Sequence, residues 1–346
     1  MNKDLLIKEQ GKEAVDFITK YTDDGFKFSA ILKTVDVFNI ETIDDTTGFK
    51  IIVNLRKIND IHGINRFLST VNSKLPENGV FIGCVETYLQ RKKRLLHKYP
   101  FIIAQIYFLF DFIFKRIFPK LMLTRKLYFF LTAGRNRVLS KAEALGRVMF
   151  NGFDIIELKE IGCLTYFSCK KTTRAIPTKI PSFGFFFKMQ RIGMNNKLIT
   201  VYKIRTMHPY AEFLQSYMFD TNNLRDGGKF KDDYRITSWG RLFRNLWIDE
   251  LPMAINFIKG EVKLVGVRPL SQHYLSLYSD ELKMKRGFAK PGLIPPFYAD
   301  LPVKLNDIIN SELRYLKLYE QHPFKTDVSY FFKALKNILF KKARTN

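Results

Sequence analysis

The segment from Pro100 to Leu131 restricts the folding of this chain more than any other. Residues 101–114 are apolar almost throughout, with only Gln105 and Asp111 inside the run. Lys115-Arg116 interrupts it, Pro119 breaks the helix, and 121–131 is a second apolar piece. A spanning helix needs about 20 apolar residues, so the first piece is too short to cross a bilayer. The pattern predicts two short helices hinged at Pro119, within an insertion over 90–135 that begins with the basic run Arg91-Lys92-Lys93-Arg94. Such a hairpin is either a re-entrant or interfacial membrane element or a helical lid buried against a sheet. The many Phe residues beside Lys and Arg make membrane association the expectation.

Charge points the same way. The chain has 57 Lys and Arg against 33 Asp and Glu, a net charge of +24, which calls for a polyanionic partner. With 33 Phe and 16 Tyr, the composition suits a membrane surface and its lipid. No nucleic-acid module or basic recognition helix is visible, so nucleic acid is not expected as a partner. Cys84, Cys163 and Cys169 are odd in number and form no CxxC, which argues against a disulfide scaffold or a zinc site. Met1-Asn2-Lys3-Asp4 lacks the apolar run of a signal peptide. The expected location is the cytoplasmic face of the cytoplasmic membrane, monotopic or peripheral.

Around the insertion the chain alternates strand and helix. Residues 1–48 are weakly patterned, with turn clusters at Asp23-Asp24-Gly25 and Asp44-Asp45-Thr46-Thr47-Gly48. Residues 50–54 and 79–85 read as buried strands flanking a helix over 64–75, a βαβ unit that implies a parallel sheet. Ser140-Lys141-Ala142-Glu143 reads as a capping box opening a helix that ends near Asn151, with Gly152 beyond it. Residues 154–158 and 164–169 read as two more strands. This order resembles the second half of a class I methyltransferase fold. The glycine-rich loop of that fold is missing, so the resemblance implies a degenerate Rossmann-like domain over 1–170 with no S-adenosylmethionine expected. Residues 171–183, polar and with Pro177 and Pro181, read as a linker.

The chemistry is concentrated in 239–270. A basic helical turn with Arg241 and Arg244 leads into Asp249-Glu250, a short apolar helix stops at Gly260, and a short strand ends in Gly266-Val267-Arg268-Pro269. Upstream, Met194-Asn195-Asn196-Lys197 reads as a hairpin turn and 198–205 as a strand with Lys203 and Arg205 on one face. Carboxylates beside so many cations suit a phosphorylated substrate. An Asp before a helix with Pro252 in its first turn is also a good N-cap, and residue types alone leave cap and catalyst open.

Four blocks in order carry a resemblance: Gln190-Arg191-Ile192-Gly193; Tyr202-Lys203-Ile204-Arg205-Thr206-Met207; Arg235-Ile236-Thr237 through Asp249-Glu250-Leu251-Pro252; and Lys259-Gly260-Glu261 through Gly266-Val267-Arg268-Pro269. Over 184–346 the chain resembles the bacterial sugar transferases, the monotopic polyprenyl-phosphate phosphoglycosyl transferases. The resemblance implies transfer of a sugar 1-phosphate from a UDP-sugar to a polyprenyl (undecaprenyl) phosphate, with release of UMP, as the initiating step of exopolysaccharide or related glycan synthesis. It implies Asp249 as nucleophile and Glu250 as Mg²⁺ ligand or orienting base, with Asp249 and Glu250 as the metal-binding pair. Arg191, Lys203, Arg205, Arg244 and Arg268 are the expected phosphate-binding residues. A catalytically inactive membrane-bound scaffold of a polysaccharide assembly complex is the alternative.

This chain departs from the family pattern in places. The usual Gly-Pro-Arg-Pro is Gly266-Val267-Arg268-Pro269, and Pro-Gly-Leu-Thr-Gly is Pro291-Gly292-Leu293-Ile294-Pro295. The proline-broken membrane helix that normally precedes the first block has its nearest counterpart in the 107–119 stretch. Two closing helices are expected over 307–319 and 327–340. The second carries Val328, Phe331, Phe332, Leu335, Ile338 and Leu339 at helical spacing, either for a membrane plane or for a core. His208 and His273 have no partners at metal-ligand spacing. The expected fold is an α/β Rossmann-like domain with a helical-hairpin insertion, followed by an α+β, helix-rich domain.

Overall fold

The computed structural model describes residues 3–22, 26–43, 48–172, 183–221, 224–225, 229–230, 233–276, 278–302 and 304–341. They form two compact units, Met1–Phe183 with His208–Asp220, and Gly184–Met207 with Thr221–Asn346. Most of the 171–183 linker lies outside the described residues, as do the 23–25 and 44–47 turn clusters and the side chain of His273.

The first unit is built on a five-stranded sheet in the order β1-β2-β3-β5-β4. The strands are β1 (Ser29–Leu32), β2 (Ile51–Lys57), β3 (Val80–Val85), β4 (Phe153–Ile161) and β5 (Leu164–Lys171). β1, β2 and β3 run parallel, and β5 is antiparallel to β3 and β4. The expected parallel sheet is therefore mixed. β2 and β3 are buried over most of their length, as strands covered on both faces must be. Helix α4 (Ile64–Lys74) buries Ile64, Phe67, Leu68 and Val71, the face its periodicity predicts. The weakly patterned start holds α1 (Lys3–Gln10), α2 (Lys12–Thr19) and α3 (Phe38–Glu41). Leu6, Val15, Phe17 and Ile18 there share a core with Val53, Ile82 and Cys84.

The insertion leaves the sheet where Thr87 and Leu139 meet in a parallel bridge, and the Tyr88 N–H donates to the Leu139 carbonyl at 2.8 Å. It comprises α5 (Tyr88–Lys98), α6 (Phe101–Phe112), a π turn over Ile113–Ile117, a 3-10 turn over Phe118–Lys120 and α7 (Met122–Thr132). The helix break thus spreads over the turns around Pro119. No helix among the described residues is long and apolar enough to cross a membrane.

Helix α8 (Lys141–Phe150) begins as predicted, with Ser140 Oγ accepting from the Glu143 N–H at 3.1 Å. The second half of the expected capping box does not form. Glu143 turns inward to Arg116, Lys120 and Arg147 at 3.3, 2.6 and 3.2 Å. Burial alone would raise its carboxyl, but the three cations hold it well below the usual carboxylate range. The His208–Asp220 segment of this unit runs into α9 (Gln215–Thr221). In it, Tyr210 takes a left-handed conformation (φ 64°) and lies so close to Gly146 that a Cβ there would stand 2.3 Å from the Tyr210 carbonyl oxygen.

In the second unit β6 (Phe186–Ile192) and β7 (Leu198–Ile204) form an antiparallel hairpin. Asn195 and Asn196 turn it with φ of 55°, a conformation that asparagine tolerates. A small antiparallel pair follows, β8 (Leu224–Arg225) and β9 (Lys229–Phe230). Next come α10 (Ser238–Asn245), α11 (Ala254–Ile258), β10 (Lys263–Val265), α12 (Gln272–Ser276), α13 (Asp280–Phe288), β11 (Gly292–Ile294) and α14 (Phe297–Asp300). β10 and β11 pair in parallel, and a Cβ on Gly292 would lie 2.1 Å from the Gly266 nitrogen, so neither glycine has room for a side chain. Helices α15 (Leu305–Gln321) and α16 (Pro323–Lys341) supply Tyr315, Leu316 and Tyr330 to a core with Val265, Val267 and Leu270. α16 buries Tyr330, Ala334 and Asn337. Of its predicted stripe only Phe331 packs on that core, while Val328, Phe332, Leu335 and Leu339 are exposed.

Candidate functional site

Thr206 is the point from which the site is built. Just past β7, its carbonyl accepts from the Thr237 N–H (2.9 Å) and Oγ1 (3.0 Å), and Met207 bridges Ile236. Thr237 Oγ1 also accepts from the Gly240 N–H at 2.9 Å and so caps α10. A Cβ at Gly240 would lie 2.2 Å from the Thr206 oxygen, so the helix can start here only with glycine. At the other end of α10, Arg244 Nε donates to Thr206 Oγ1 at 2.8 Å. The cation is thereby aimed from a rigid helix.

After α10, Trp247 adopts a left-handed conformation (φ 56°) and the chain enters a 3-10 turn, Ile248–Met253. Asp249, Glu250 and Pro252 all lie inside it. The reading of Asp249 as the N-cap of a helix with Pro252 in its first turn is corrected: Trp247 holds the cap position, without a side-chain cap bond. α11, which continues the turn, has only five residues. A strong helix dipole at Asp249 is therefore absent too. What remains is a carboxylate buried for another reason. Asp249 is 7% exposed and its Oδ1 has no hydrogen-bond partner. Burial raises its proton affinity above that of an ordinary aspartate and Glu250 adds to this, while Lys203 and Arg244 oppose it.

Glu250 is fixed by an ion pair to Lys203, 2.5 Å from Nζ to Oε1, with both side chains largely buried. Arg205, beyond the end of β7, donates from Nε to the Gly184 carbonyl at 3.0 Å and stacks over Phe187 at 4.9 Å. Phe187 is also the cross-strand neighbour of Lys203, so the two cations share a strand face but have different described partners. Burial depresses the Arg244 pKa, while the Asp249 charge supports it. Arg191 is depressed by burial and by the Arg268 charge. Arg268 stacks over Phe297 at 5.8 Å, and its carbonyl accepts from Arg286 Nη2 at 2.5 Å. Arg191, Lys203, Arg244 and Arg268 thus belong to one electrostatic neighbourhood with the acidic pair.

Three supports escaped the sequence reading. Asn256, fully buried, donates Nδ2 to the Thr200 carbonyl (2.7 Å) and to Glu261 (2.6 Å) and accepts from the Tyr202 N–H (3.3 Å). It ties the segment after the acidic turn to β7. Arg235 and Asp233 make a two-pronged pair at 2.8 and 2.7 Å, and both charges are felt at Arg244. Thr206 is the third. Thr206 and Arg235 stand inside the matched blocks, which marked the positions but not their supporting roles; Asn256 lies between two blocks and had no signal.

Among the described residues no three acidic, His or Cys side chains gather into a metal cluster. His208 faces Arg116 at 3.1 Å, with its pKa pushed down to about 3 by burial first and the arginine second.

The segment that builds this site is recognised by comparison. The chain belongs to the bacterial sugar transferase family, whose model matches residues 150–341, more than half its length. It is 37% identical over 141 residues to the uncharacterized sugar transferase EpsL of Bacillus subtilis, covering 41% of this chain and 63% of that protein. It is 36% identical over 109 residues to an undecaprenyl-phosphate galactose phosphotransferase of Salmonella typhimurium, covering 30% of this chain and 23% of that protein. An Aeromonas hydrophila UDP-N-acetylgalactosamine-undecaprenyl-phosphate N-acetylgalactosaminephosphotransferase is 30% identical over 147 residues, 41% of this chain and 31% of that one. The matches span less than two thirds of these relatives' own lengths. An O-methyltransferase family protein from Burkholderia thailandensis superposes with a TM-score of 0.23 at 10% identity, over 41% of this chain and 35% of that one, too low to support an argument.

Proposed function

We propose that this chain is a phosphoglycosyl transferase that moves a sugar 1-phosphate from a UDP-sugar to a polyprenyl phosphate such as undecaprenyl phosphate. The observation that carries the reading is Asp249: a buried carboxylate with an unpartnered oxygen, set among Arg244, Lys203 and Arg268 in the segment matched by the family. The names of the relatives supply the reaction class.

In the proposed mechanism an Asp249 oxygen attacks the sugar-linked phosphorus of the UDP-sugar. An O–P bond to the aspartate forms, the P–O bond to UMP breaks, and UMP leaves with the electron pair. A phosphate oxygen of the polyprenyl phosphate then attacks the same phosphorus, gives a polyprenyl diphosphate sugar and frees Asp249. A raised proton affinity makes Asp249 a stronger nucleophile than an exposed aspartate once it is ionised. Arg244 and Arg268 offset the charge of two approaching anions, with Arg191 and Arg205 as further phosphate contacts. Lys203 holds Glu250 beside Asp249. The acidic pair fits Mg²⁺, because it offers hard oxygens and that ion takes its remaining ligands from substrate phosphates and water. Bound there, Mg²⁺ would neutralise phosphate charge.

We read the first unit as a degenerate Rossmann-like scaffold without S-adenosylmethionine, and the working position as the cytoplasmic face of the membrane. The test is incubation of the full chain with a panel of UDP-sugars, polyprenyl phosphate and Mg²⁺. UMP release with a matching lipid-linked sugar is expected from one of them, and its loss on chelation. No UMP from any sugar would leave the inactive scaffold as the better reading.

A further inference from the structure

His208–Asp220 belongs to the first unit, although the chain on either side of it belongs to the second. The point of departure is the foundation of the site. Met207, the last residue before the segment, bridges Ile236, and the Thr206 carbonyl holds Thr237, the cap of α10.

The first unit grips the start of this segment from several sides. Arg116 Nη2 donates to Nδ1 of the buried His208 at 3.1 Å. Tyr210 and Leu214 are fully buried. The Tyr210 hydroxyl accepts from Asn65 Nδ2 at 2.6 Å and from Arg147 Nη1 at 3.4 Å, and the Arg147 guanidinium lies 4.4 Å over its ring. Phe150 packs edge-on against both Tyr210 and Phe213, at 5.3 and 5.1 Å. Gly146 leaves the Tyr210 backbone the room that a Cβ would take, since that atom would also stand 2.8 Å from the Tyr210 carbonyl carbon. A tyrosine at φ 64° is strained, and such strain persists only where the surroundings over-determine it.

We propose that the first unit is a positioning element for the transfer: it anchors His208–Leu214, and the anchor fixes the chain at Thr206, from which Thr237 caps α10 and Arg244 is held. Thr206 and His208 are two residues apart, at most about 7 Å of extended chain, so little slack separates anchor and site. Gly146 and Tyr210 are thus positioning residues, far in role from the reacting atoms. The proposal rests on the transferase reading for its effect on turnover, while the anchoring itself is read without substrate.

The chain has two tryptophans, Trp239 inside α10 and Trp247 just beyond it, and none in the first unit. Tryptophan emission of the full chain therefore reports on the site segment alone. Gly146→Ala favours the helix in which it sits but crowds Tyr210 out, so the emission should shift to the red and acrylamide should quench it more strongly. Tyr210→Phe keeps the ring, loses both hydroxyl bonds and should move the emission the same way by less. Val53→Ala, in the sheet core apart from the segment, should weaken the first unit and leave the emission unchanged. With a UDP-sugar, Gly146→Ala should raise KM about tenfold at nearly constant kcat, but less than about twofold when Thr206→Val is already present, because both act on one contact. Emission unmoved by both anchor variants, or moved equally by Val53→Ala, would overturn the proposal, as would KM effects that multiply. A wild type that turns over no sugar would sink the transferase reading alone, with the emission still deciding the anchor.

Discussion

Replacing Asp249 with Asn separates two properties that the site combines. The carboxylate is buried, one of its oxygens has no partner, and burial and Glu250 both favour its neutral form. An unsatisfied buried polar group costs about 1–3 kcal/mol, and Lys203 and Arg244 offset part of that here. The amide keeps the shape and drops the charge, so Asp249→Asn should gain about 1 kcal/mol, or about 2–4 °C in the melting temperature of a unit this size. The sign depends on pH. Below the ordinary carboxylate range both folded and unfolded aspartates are protonated and the penalty vanishes. As pH rises through that range the unfolded chain ionises first, while folded Asp249 keeps its proton. The wild type therefore loses stability relative to the variant until the folded carboxyl ionises as well, and the gap in melting temperature should be wider at neutral pH than in acid. Activity should move the other way, with UMP release falling at least about a thousandfold. Calorimetry at both pH values and a UMP assay read the two effects. A variant that melts lower than wild type at neutral pH, or that releases UMP at a comparable rate, would refute the reasoning.

Asn256→Ala strips three hydrogen bonds from a fully buried position, and denaturant unfolding should register a loss of about 2–4 kcal/mol. Thr206→Val keeps the carbonyl that holds Thr237 but removes the acceptor for Arg244. KM for the UDP-sugar should rise about tenfold with little change in melting temperature, since a single hydrogen bond to a charged group is lost. Glu143→Gln leaves Arg116, Lys120 and Arg147 without their anion and should destabilise the first unit by about 3–5 kcal/mol. Because the Glu143 carboxyl is depressed, its contribution is present above the ordinary carboxylate range and fades only as pH falls through the lower folded value. The difference between Glu143→Gln and wild type should shrink accordingly in strong acid.

What could be read in advance depended on whether a residue's signal was periodic or relational. α4 was legible because burial on one face writes a helical period into the sequence, and β2 and β3 because burial on two faces leaves short unbroken apolar runs bounded by turn residues. α1, α2, β1 and α3 are only four to eight residues each, too short to show a period. At the site, Lys203, Arg244 and Asp249 were legible because their spacing belongs to matched blocks. The 3-10 turn around Asp249 was not, because it depends on Trp247 taking a left-handed conformation that its side chain disfavours. Glu143 shows the opposite hazard. Its spacing from Ser140 fits a capping box, yet Arg116 and Lys120, distant in sequence, and Arg147, one helical turn on, outcompete the local bond.

The neck of the insertion, where Thr87 meets Leu139, looks like a place for a clean cut. The ion pairs make it otherwise. A cut there would remove Arg91 and Arg94, which pair with Glu86, together with Arg116 and Lys120, which pair with Glu143, leaving two buried carboxylates short of cations in the remaining unit. The insertion is therefore a graft that has grown into its host, and it can be transplanted or deleted only together with compensating changes at Glu86 and Glu143.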